Sequence, residues 1–247
     1  MRYFIEITFN GKNYHGWQIQ PDAVSVQQTI EEALSTILRS KIEIVGAGRT
    51  DAGVHAKEIF AHFDFTEKIQ TEDLVYKLNS FLPLDIAINN ILPVKEDAHA
   101  RFDALSRTYE YHIVLKKNPF VIDFCHRLHH CPDVEKMNQA AEILYNYKDF
   151  QCFSRSKTDV KTYNCTLTKA HWEKVDDRLI FTITADRFLR NMVRAIVGTL
   201  LDIGFDKINT DDFHNIIKSK NRNNAGTSVP AEGLYLTRVV YPKELFL

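Results

Sequence analysis

Hydrophobic and polar residues alternate in several short segments of this chain, as they do in β-strands that bury one face. The first such segment runs from Arg2 to Phe9, where Glu6 and Thr8 separate apolar residues. Further strands are predicted for residues 42–45, 55–65, 85–94, 107–115, 163–175, 178–185 and 234–240. The pair 163–175 and 178–185 predicts a hairpin around Asp176 and Asp177.

Between these strands, apolar residues recur every three or four positions, which is the period of an amphipathic helix. Four predicted helices start at residue types that cap helix N-termini, namely Ser25, Thr71, Asp133 and Thr210. Ser25 and Gln28 have the spacing of a capping box. A longer, strongly apolar helix is predicted for residues 188–203.

The order of these elements predicts the fold class. The first half reads β-α-β-β-α-β, which is the ferredoxin-like order, and the second half repeats the plan. We therefore expect an α+β (mixed α/β) protein with two ferredoxin-like, RNP-like subdomains, residues 1–105 and 106–247. A joined, mainly antiparallel sheet with a central cleft is expected. The polar segment 95–104 is predicted to be a linker.

Charge and composition narrow the classes of function only slightly. The 247 residues include 31 Lys and Arg against 32 Asp and Glu, a net charge of -1. This balance neither indicates nor excludes a nucleic-acid binder, because a binding cleft needs only local positive charge. No apolar run reaches the roughly 18 residues of a membrane span, and the N-terminus has no signal-peptide pattern. A reducing, soluble compartment is expected.

Metal and cofactor motifs are missing from the sequence. The segment from Cys125 to Cys131 is rich in Cys and His, but its spacing fits no common zinc pattern and is typical of strand alternation. The sequence has no P-loop, dinucleotide glycine fingerprint, HExxH motif or serine nucleophile elbow. If the protein is an enzyme, a reaction without metal or cofactor is favoured.

The segment from Gly46 to His55 carries the strongest candidate for chemistry. Two glycines end a predicted strand and Gly53 follows Asp51, so the backbone can turn sharply and approach a ligand. Asp51 could be an ordinary turn aspartate with Arg49 as a surface charge. Alternatively, the Arg49 guanidinium could orient an ionised Asp51 carboxylate in a cleft, where it would act as nucleophile or base.

Aromatic and basic residues form a second group of candidates. Tyr109 and Tyr111 share one face of a predicted strand. They could be core residues, or they could form a stacking platform for an extruded base. Three arginines fall on one face of the predicted helix: Arg187, Arg190 and Arg194. They could form a solvated surface or could contact phosphates. A further basic stretch contains Arg155, Lys157, Lys161 and Lys169.

Five ordered motifs resemble those of the bacterial tRNA pseudouridine synthase A family over essentially the whole chain. The segment 48–56, GRTDAGVHA, resembles the family's active-site loop. The other four motifs are YHGWQIQ at 14–20, RTYEY at 107–111, FLRNMVR at 188–194 and PAEGLYL at 230–236. Departures occur at 222–229, which is more polar than usual, and at 153–158, and both could alter tRNA contacts.

The resemblance implies a specific reaction and site. It implies that Asp51 is the nucleophile, that Arg49 is its ion-pair partner and that Tyr109 packs against the target uracil. Arg107, Arg190 and Arg194 are expected to bind substrate together with Tyr109. It further implies uridines 38 to 40 of the tRNA anticodon stem-loop as targets, a homodimer with a basic cleft, no metal or cofactor, no membrane association and a cytoplasmic location.

Three other functions are consistent with parts of the sequence. A non-catalytic RNA-binding module would use the two ferredoxin-like units but leaves Arg49 without a purpose. A hydrolase with an aspartyl intermediate would need a second acid or a metal, and neither is near Asp51 in sequence. A synthase acting on another RNA, such as ribosomal RNA, is the third, and the C-terminal motifs favour tRNA over it.

Overall fold

The computed structural model describes residues 1–155 and 160–247, which form a mixed α/β structure with mostly antiparallel strand pairing. Within these residues the strands are β1 (Arg2–Phe9), β2 (Val45–Gly46), β3 (His55–Asp64), β4 (Ile86–Val94), β5 (Ser106–Val114), β6 (His126–Arg127), β7 (Leu167–Val175), β8 (Arg178–Ala185) and β9 (Leu234–Val240). The helices are α1 (Val26–Leu38), α2 (Thr71–Phe81), α3 (Val134–Ile143), α4 (Met192–Gly204) and α5 (Thr210–Ser219).

The chain forms two compact units. The first contains Met1–Ser106 and Tyr235–Leu247, and the second contains Arg107–Leu234. Packing thus assigns the C-terminal residues to the first unit. The division into subdomains 1–105 and 106–247, the joined sheet and the central cleft stay predictions.

The first unit is built on a sheet in the order β4-β1-β3-β9, with the short β2 paired to β3. β1 is antiparallel to β3 and β4, whereas β9 runs parallel to β3. The sheet buries Phe4, Ile5 and Ile7 completely, and α1 contributes Ile30 and Leu34 to the core. The predicted β-α-β-β-α-β order of this half is confirmed.

The second unit contains the antiparallel strands β5, β8 and β7, with the two-residue β6 parallel to β5. Helix α4 is almost entirely buried, as its strongly apolar sequence predicts. The core of the second unit also includes the large side chains of Tyr111, Trp172 and Phe181. The hairpin is confirmed, with Asp176 in the left-handed region at its turn (φ 55°).

The predicted strand at residues 42–45 is wrong except at its end. Only Val45 and Gly46 pair with β3. The preceding residues are tied to α1 instead, because the Ile42 N–H donates to the Ser35 hydroxyl (2.9 Å) and the Ile44 N–H donates to the Glu31 carboxylate (2.9 Å). Side chains of the helix therefore satisfy the backbone that a sheet would otherwise pair.

Helix α4 begins later than predicted, at Met192 and not at residue 188. Asn191 precedes it in the left-handed conformation (φ 67°), which a right-handed helix cannot contain. Asparagine tolerates this conformation better than most residues. The segment 187–190 is therefore a loop, which changes how its arginines are presented.

The helix caps match the predictions in part. Ser25 caps α1 by accepting from the Gln28 N–H, but the Gln28 side chain donates to Glu32, so the capping box does not close. Asp133 caps α3 as predicted. The caps of the other two helices are Gln70, not Thr71, and Asn209, not Thr210.

The segment predicted as a linker, 95–104, is fastened to the first unit. The Arg2 guanidinium donates to the Ala98 carbonyl (2.9 Å), and the Ala100 N–H donates to Nδ1 of His62 (3.1 Å). Ala98 and Ala100 are buried. No helix in the described part of the chain is long and apolar enough to cross a membrane.

Candidate active site

Asp51 lies in a tight turn between β2 and β3. The turn closes through a hydrogen bond from the Val54 N–H to the Asp51 carbonyl (3.2 Å). Gly53 occupies the left-handed region (φ 78°), which glycine adopts without steric cost. The Ala47 N–H donates to the Phe60 carbonyl (2.7 Å), so the loop is held at the sheet end as well. The backbone around Asp51 is therefore well constrained.

The segment between β1 and α1 forms the backing of this Asp51 loop. The Trp17 N–H donates to the Thr50 carbonyl (3.3 Å), and the Gly53 N–H donates to the Tyr14 carbonyl (3.3 Å). Gly16 has φ 92°, and a Cβ atom there would lie only 2.4 Å from the Thr50 carbonyl oxygen. The glycine of the YHGWQIQ motif at 14–20 is therefore required for the contact with the Asp51 loop.

Two side-chain anchors fix the backing segment to the sheet. The Gly11 N–H donates to Nδ1 of the buried His55 (3.1 Å), which defines that nitrogen as an acceptor. The Tyr14 hydroxyl donates to the Asp85 carboxylate (2.6 Å). Burial and this bond to Asp85 both raise the pKa of Tyr14, so the hydroxyl stays protonated as a donor.

Asp51 and Arg49 differ in exposure. Asp51 is half-buried, whereas Arg49 is exposed and the intervening Thr50 is buried. Within the described residues, the structure shows no ion pair between Arg49 and Asp51, and the pairing stays a prediction. A half-buried carboxylate on a rigid loop has the placement that a nucleophile needs, because its direction is set by the backbone.

In the second unit, Tyr109 and Phe188 form an edge-to-face aromatic pair. Their ring centroids are 5.1 Å apart at an interplanar angle of 86°, and both side chains are half-buried. Phe188 is the first residue of the helix predicted for 188–203, but it lies in the loop before α4. The signal that could have identified it is its position directly after Arg187, in a segment otherwise rich in arginine.

Tyr111 has a different role from Tyr109, although both project from the same face of β5. Tyr111 is fully buried and donates its hydroxyl to the Pro230 carbonyl (2.9 Å). Gly233 packs on its ring, where a Cβ atom would lie 2.7 Å from Cζ. Burial raises the pKa of Tyr111, so its hydroxyl remains a donor. Of the two tyrosines, Tyr109 alone keeps part of its side chain exposed.

The predicted stripe of three arginines on one helix is wrong, because α4 starts at Met192. Arg194 lies on the helix and donates through Nε to the Val229 carbonyl (2.7 Å). Arg190 precedes the helix and is exposed. Arg107, on β5, donates to the Asp186 carbonyl (2.8 Å). The three arginines predicted to bind substrate, Arg107, Arg190 and Arg194, therefore come from three different local structures.

A stacked pair in the first unit was missed at the level of sequence. Tyr235, at the start of β9, stacks on His55 with ring centroids 4.7 Å apart and an interplanar angle of 23°. The Lys57 ammonium lies 5.4 Å from the same ring. The pair joins the fifth family-like motif to the strand that follows Asp51. Only the parallel register of β3 and β9 brings these distant residues together.

The predicted site residues fall into both units. Asp51 and Arg49 lie in the first unit, and Tyr109, Arg107, Arg190 and Arg194 lie in the second. Lys157, which we included in the basic stretch, lies outside the described residues. In the part of the chain that the structure describes, no group of three or more His, Cys, Asp or Glu residues could hold a metal ion.

Comparison with known proteins gives consistent matches. A family described as tRNA pseudouridine synthase matches residues 6–103 and 140–242, which include the Asp51 loop but not Tyr109. The tRNA pseudouridine synthase A of Parabacteroides distasonis is 54% identical over 248 residues, covering 99% of this chain and 98% of that protein. The tRNA pseudouridine synthase A of Porphyromonas gingivalis is 53% identical over 250 residues, covering 100% and 99%.

Proposed function

This chain belongs to the tRNA pseudouridine synthase family, and from that premise we propose that Asp51 is the nucleophile of the reaction and that its targets are uridines 38 to 40 of the anticodon stem-loop. The enzyme is an isomerase that forms pseudouridine in tRNA. The observation that carries the assignment to Asp51 is the rigid turn that holds this half-buried carboxylate, with Gly16 and Gly53 allowing the backbone to close around it.

The reaction exchanges one glycosidic bond for another. The N1–C1′ bond of uridine breaks, the uracil rotates, and a C5–C1′ bond forms with loss of the C5 proton. Asp51 either attacks C1′ to give a covalent sugar intermediate or removes a sugar proton to give a glycal. Both routes need an ionised carboxylate held in a fixed direction, which the Asp51 loop supplies.

The detached uracil must stay in the site while it rotates. Tyr109 is proposed to pack against its face, and the edge-to-face contact with Phe188 holds the Tyr109 ring in place. The target base also has to leave its stack, at a cost of a few kcal/mol, and stacking on an aromatic ring offsets part of this. The group that accepts the C5 proton is the Tyr109 hydroxyl or a water molecule.

Arginines are proposed to hold the RNA. Arg107, Arg190 and Arg194 would contact phosphates, since guanidinium groups bind phosphate oxygens with a fixed geometry. Arg49 is proposed to pair with Asp51 once the substrate is bound, because an exposed arginine two residues away can reach the carboxylate side of the turn. We further propose a homodimer acting in the cytoplasm, where its tRNA substrate is found.

The decisive experiment replaces Asp51 with asparagine. Asp51→Asn removes the nucleophile while keeping size and shape, so turnover in a tritium-release assay should be abolished while tRNA binding is largely kept. Asp22→Asn is the matched control, because Asp22 is exposed in a turn and asparagine tolerates its left-handed φ of 57°. Continued conversion of uridine by the Asp51→Asn protein would exclude Asp51 as the nucleophile.

The target positions are tested separately. Pseudouridine should be missing from positions 38 to 40 of tRNA in a strain lacking this protein and should return with the wild-type chain but not with the Asp51→Asn variant. Unchanged pseudouridine at these positions, together with loss elsewhere in tRNA, would reassign the target positions and leave the chemistry intact.

A further inference from the structure

The second unit contains a cavity of about 460 Å³ beside the N-terminus of α4. Its lining comes from Arg155, Asn191 and the segment 222–228. The polar residues that line it are Arg155, Asn191, Arg222, Asn223, Thr227 and Ser228. Two arginines and no acidic residue are among its described lining residues.

The wall of the cavity formed by residues 225–228 is packed closely against α4. A Cβ atom on Gly198 of α4 would lie 1.9 Å from the Thr227 carbonyl oxygen. The Gly226 N–H donates to the Thr199 hydroxyl on the same helix (2.9 Å). Glycine and threonine thus fix this wall to a buried helix, and the cavity is preorganised.

The Arg222 guanidinium is held in place by neutral acceptors. It donates to the carbonyls of Ala225 (3.2 Å) and Gly226 (3.1 Å) and to the Ser228 hydroxyl (2.7 Å). No carboxylate among the described residues forms an ion pair with it. Partial burial lowers the pKa of the guanidinium, in keeping with the lack of such an ion pair. A bound anion would supply the missing charge.

The Ser228 hydroxyl supplies a donor of defined direction. Its oxygen accepts hydrogen bonds from Arg222 and from the Asn191 side-chain amide (2.6 Å). A hydroxyl oxygen has two lone pairs and one O–H donor, so these two bonds leave the donor. Ser228 is only half-buried, so this O–H is accessible from the cavity. It is therefore available to an oxygen acceptor of a ligand.

The start of α4 adds to the attraction for an anion. Asn191 is the N-cap residue, but its side chain bonds to Ser228 and makes no capping bond to the helix. The first turn of α4 therefore keeps backbone N–H groups and the positive end of the helix dipole beside the cavity. Arg155 is brought to the same place because its N–H donates to the Arg190 carbonyl (3.0 Å).

We propose that this cavity binds a phosphodiester group of the tRNA backbone, with Arg155 and Arg222 supplying charge and Ser228 the hydroxyl donor. The inference rests on the proposed function, because it takes tRNA as the ligand. The cavity is large enough for the phosphate together with its attached nucleoside. It is a positioning contact, separate from the roles proposed for Asp51 and Tyr109.

The test compares two neighbouring asparagines. Asn223 lines the cavity and Asn224 does not, although both are exposed and belong to the same turn. Asn223→Asp and Asn224→Asp introduce the same charge by the same replacement of one amide nitrogen with oxygen. Asn223→Asp should raise the Kd for tRNA about tenfold, because the new carboxylate faces the phosphate, and Asn224→Asp should change it by about twofold or less.

A second pair of variants measures the contact as a charge. Arg155→Gln should lower the slope of log Kd against log salt by about 1, the value for one lost phosphate contact. Arg39→Gln, at an exposed arginine in the first unit, is the matched control and should leave the slope unchanged. Thermal unfolding of all four variants, compared with the wild type, verifies that each is folded.

The possible results distinguish a failure of the cavity proposal from a failure of the proposed function. If the wild type forms no pseudouridine in tRNA, the proposed function fails. If the wild type is active but Asn223→Asp and Asn224→Asp have equal tRNA affinities, the cavity proposal fails alone. Uridine monophosphate and inorganic phosphate are titrated in parallel. Tight mononucleotide binding that Asn223→Asp abolishes, with tRNA affinity unchanged, would overturn the assignment to the RNA backbone.

Discussion

Single residues decide how closely the backing segment approaches the Asp51 loop. Gly16 has a left-handed backbone and lies against the Thr50 carbonyl, with no room for a side chain. Gly48, in the same loop as Asp51, has no atom within 4 Å of a Cβ built on it. Two glycines that look equivalent in the sequence therefore have different structural requirements.

Gly16→Ala should destabilise the protein by about 2 kcal/mol or more, because the left-handed conformation alone costs an alanine about 1 to 2 kcal/mol. The added contact with Thr50 should displace the Asp51 loop and lower turnover as well. Urea unfolding measures the first effect and tritium release the second. Gly48→Ala is the control and should keep the wild-type free energy of unfolding. Equal stability of the two variants would contradict the close contact at Gly16.

At the level of elements, side-chain hydrogen bonds set where helices start. Asn209 accepts from the Asp212 N–H (2.9 Å), and the Asp212 carboxylate accepts from the Asn209 N–H (3.0 Å), which closes a capping box on α5. Thr210 is the first residue inside the helix. Both residues are of the capping type, so a preference scale does not separate them.

Asn209→Ala should lower the free energy of unfolding by about 1 kcal/mol, the usual cost of losing an N-cap side chain. Thr210→Ala should cost nothing, because alanine is the better helix former and no capping bond is lost. Urea titrations of both variants give the comparison. A larger loss for Thr210→Ala than for Asn209→Ala would show that the helix begins one residue later.

The junction between β3 and the segment 95–104 should make stability depend on pH. Burial of His62, assisted by the positive charge of Arg2 and by His99, lowers the His62 pKa to about 4, against an ordinary value of 6.5. Asp64 and Asp103 act in the opposite direction. Neutral His62 accepts the Ala100 N–H at Nδ1, a bond that the protonated ring cannot make.

The direction in which stability changes with pH follows from the lowered pKa of His62. Above pH 6.5 His62 is neutral in both the folded and the unfolded chain, and its contribution to stability is fully present. As the pH falls from 6.5 towards 4, the unfolded chain takes up the proton first, and stability is lost, on the order of 3 kcal/mol over the range.

His62→Asn tests this dependence, because the asparagine Oδ1 can still accept the Ala100 N–H and does not titrate. The variant should lose less stability than the wild type between pH 6.5 and 4, as measured by urea unfolding at several pH values. His171→Asn, at an exposed histidine of β7, is the control and should keep the wild-type pH dependence. An identical slope in the wild type and in His62→Asn would contradict the role of His62.

For the whole molecule, net charge is a poor guide to RNA binding. The chain carries -1 overall, yet its described residues include a cavity with two arginines and a loop segment from 187 to 190 with two more. Binding of RNA depends on the local charges that displace counterions from phosphates and not on the total.

The affinity for tRNA should therefore fall steeply with salt despite the negative net charge. The slope of log association constant against log salt should be several units, at about 0.7 to 0.9 per phosphate contacted. Filter binding over a series of sodium chloride concentrations measures it. The Asp51→Asn variant, which cannot turn over, is a suitable form of the protein for this measurement. An affinity independent of salt would exclude phosphate contacts as the main source of binding.

Much of the fold was predictable because it follows from local patterns. The bounds of β1 and β9 and the cap of α3 by Asp133 agree with the sequence reading, since alternation and capping depend on neighbours in the chain. The errors occurred where distant groups compete for the same backbone. Backbone N–H groups expected to pair in a strand instead donate to the side chains of Glu31 and Ser35. Helix α4 starts later than predicted because Asn191 is in the left-handed conformation.

The candidate site shows the same division. Asp51 could be selected from the sequence because glycines around an acid predict a turn that presents it, and the motifs point to the same residue. The separate roles of Tyr109 and Tyr111 could not be predicted from the sequence, because both residues have the same position in the strand alternation. Burial and the bond to Pro230 distinguish Tyr111, and a contact with Phe188 distinguishes Tyr109.

The sequence by itself determined the order of the elements, the family and the acidic residue at the centre of the proposed chemistry, because each is encoded within a short stretch of chain. Only the tertiary structure decided that Gly16 backs the Asp51 loop, that Tyr235 stacks on His55, and that Arg155, Arg222 and Ser228 line one cavity. These contacts join residues far apart along the chain. Their existence depends on strand register and close packing, which no local pattern specifies.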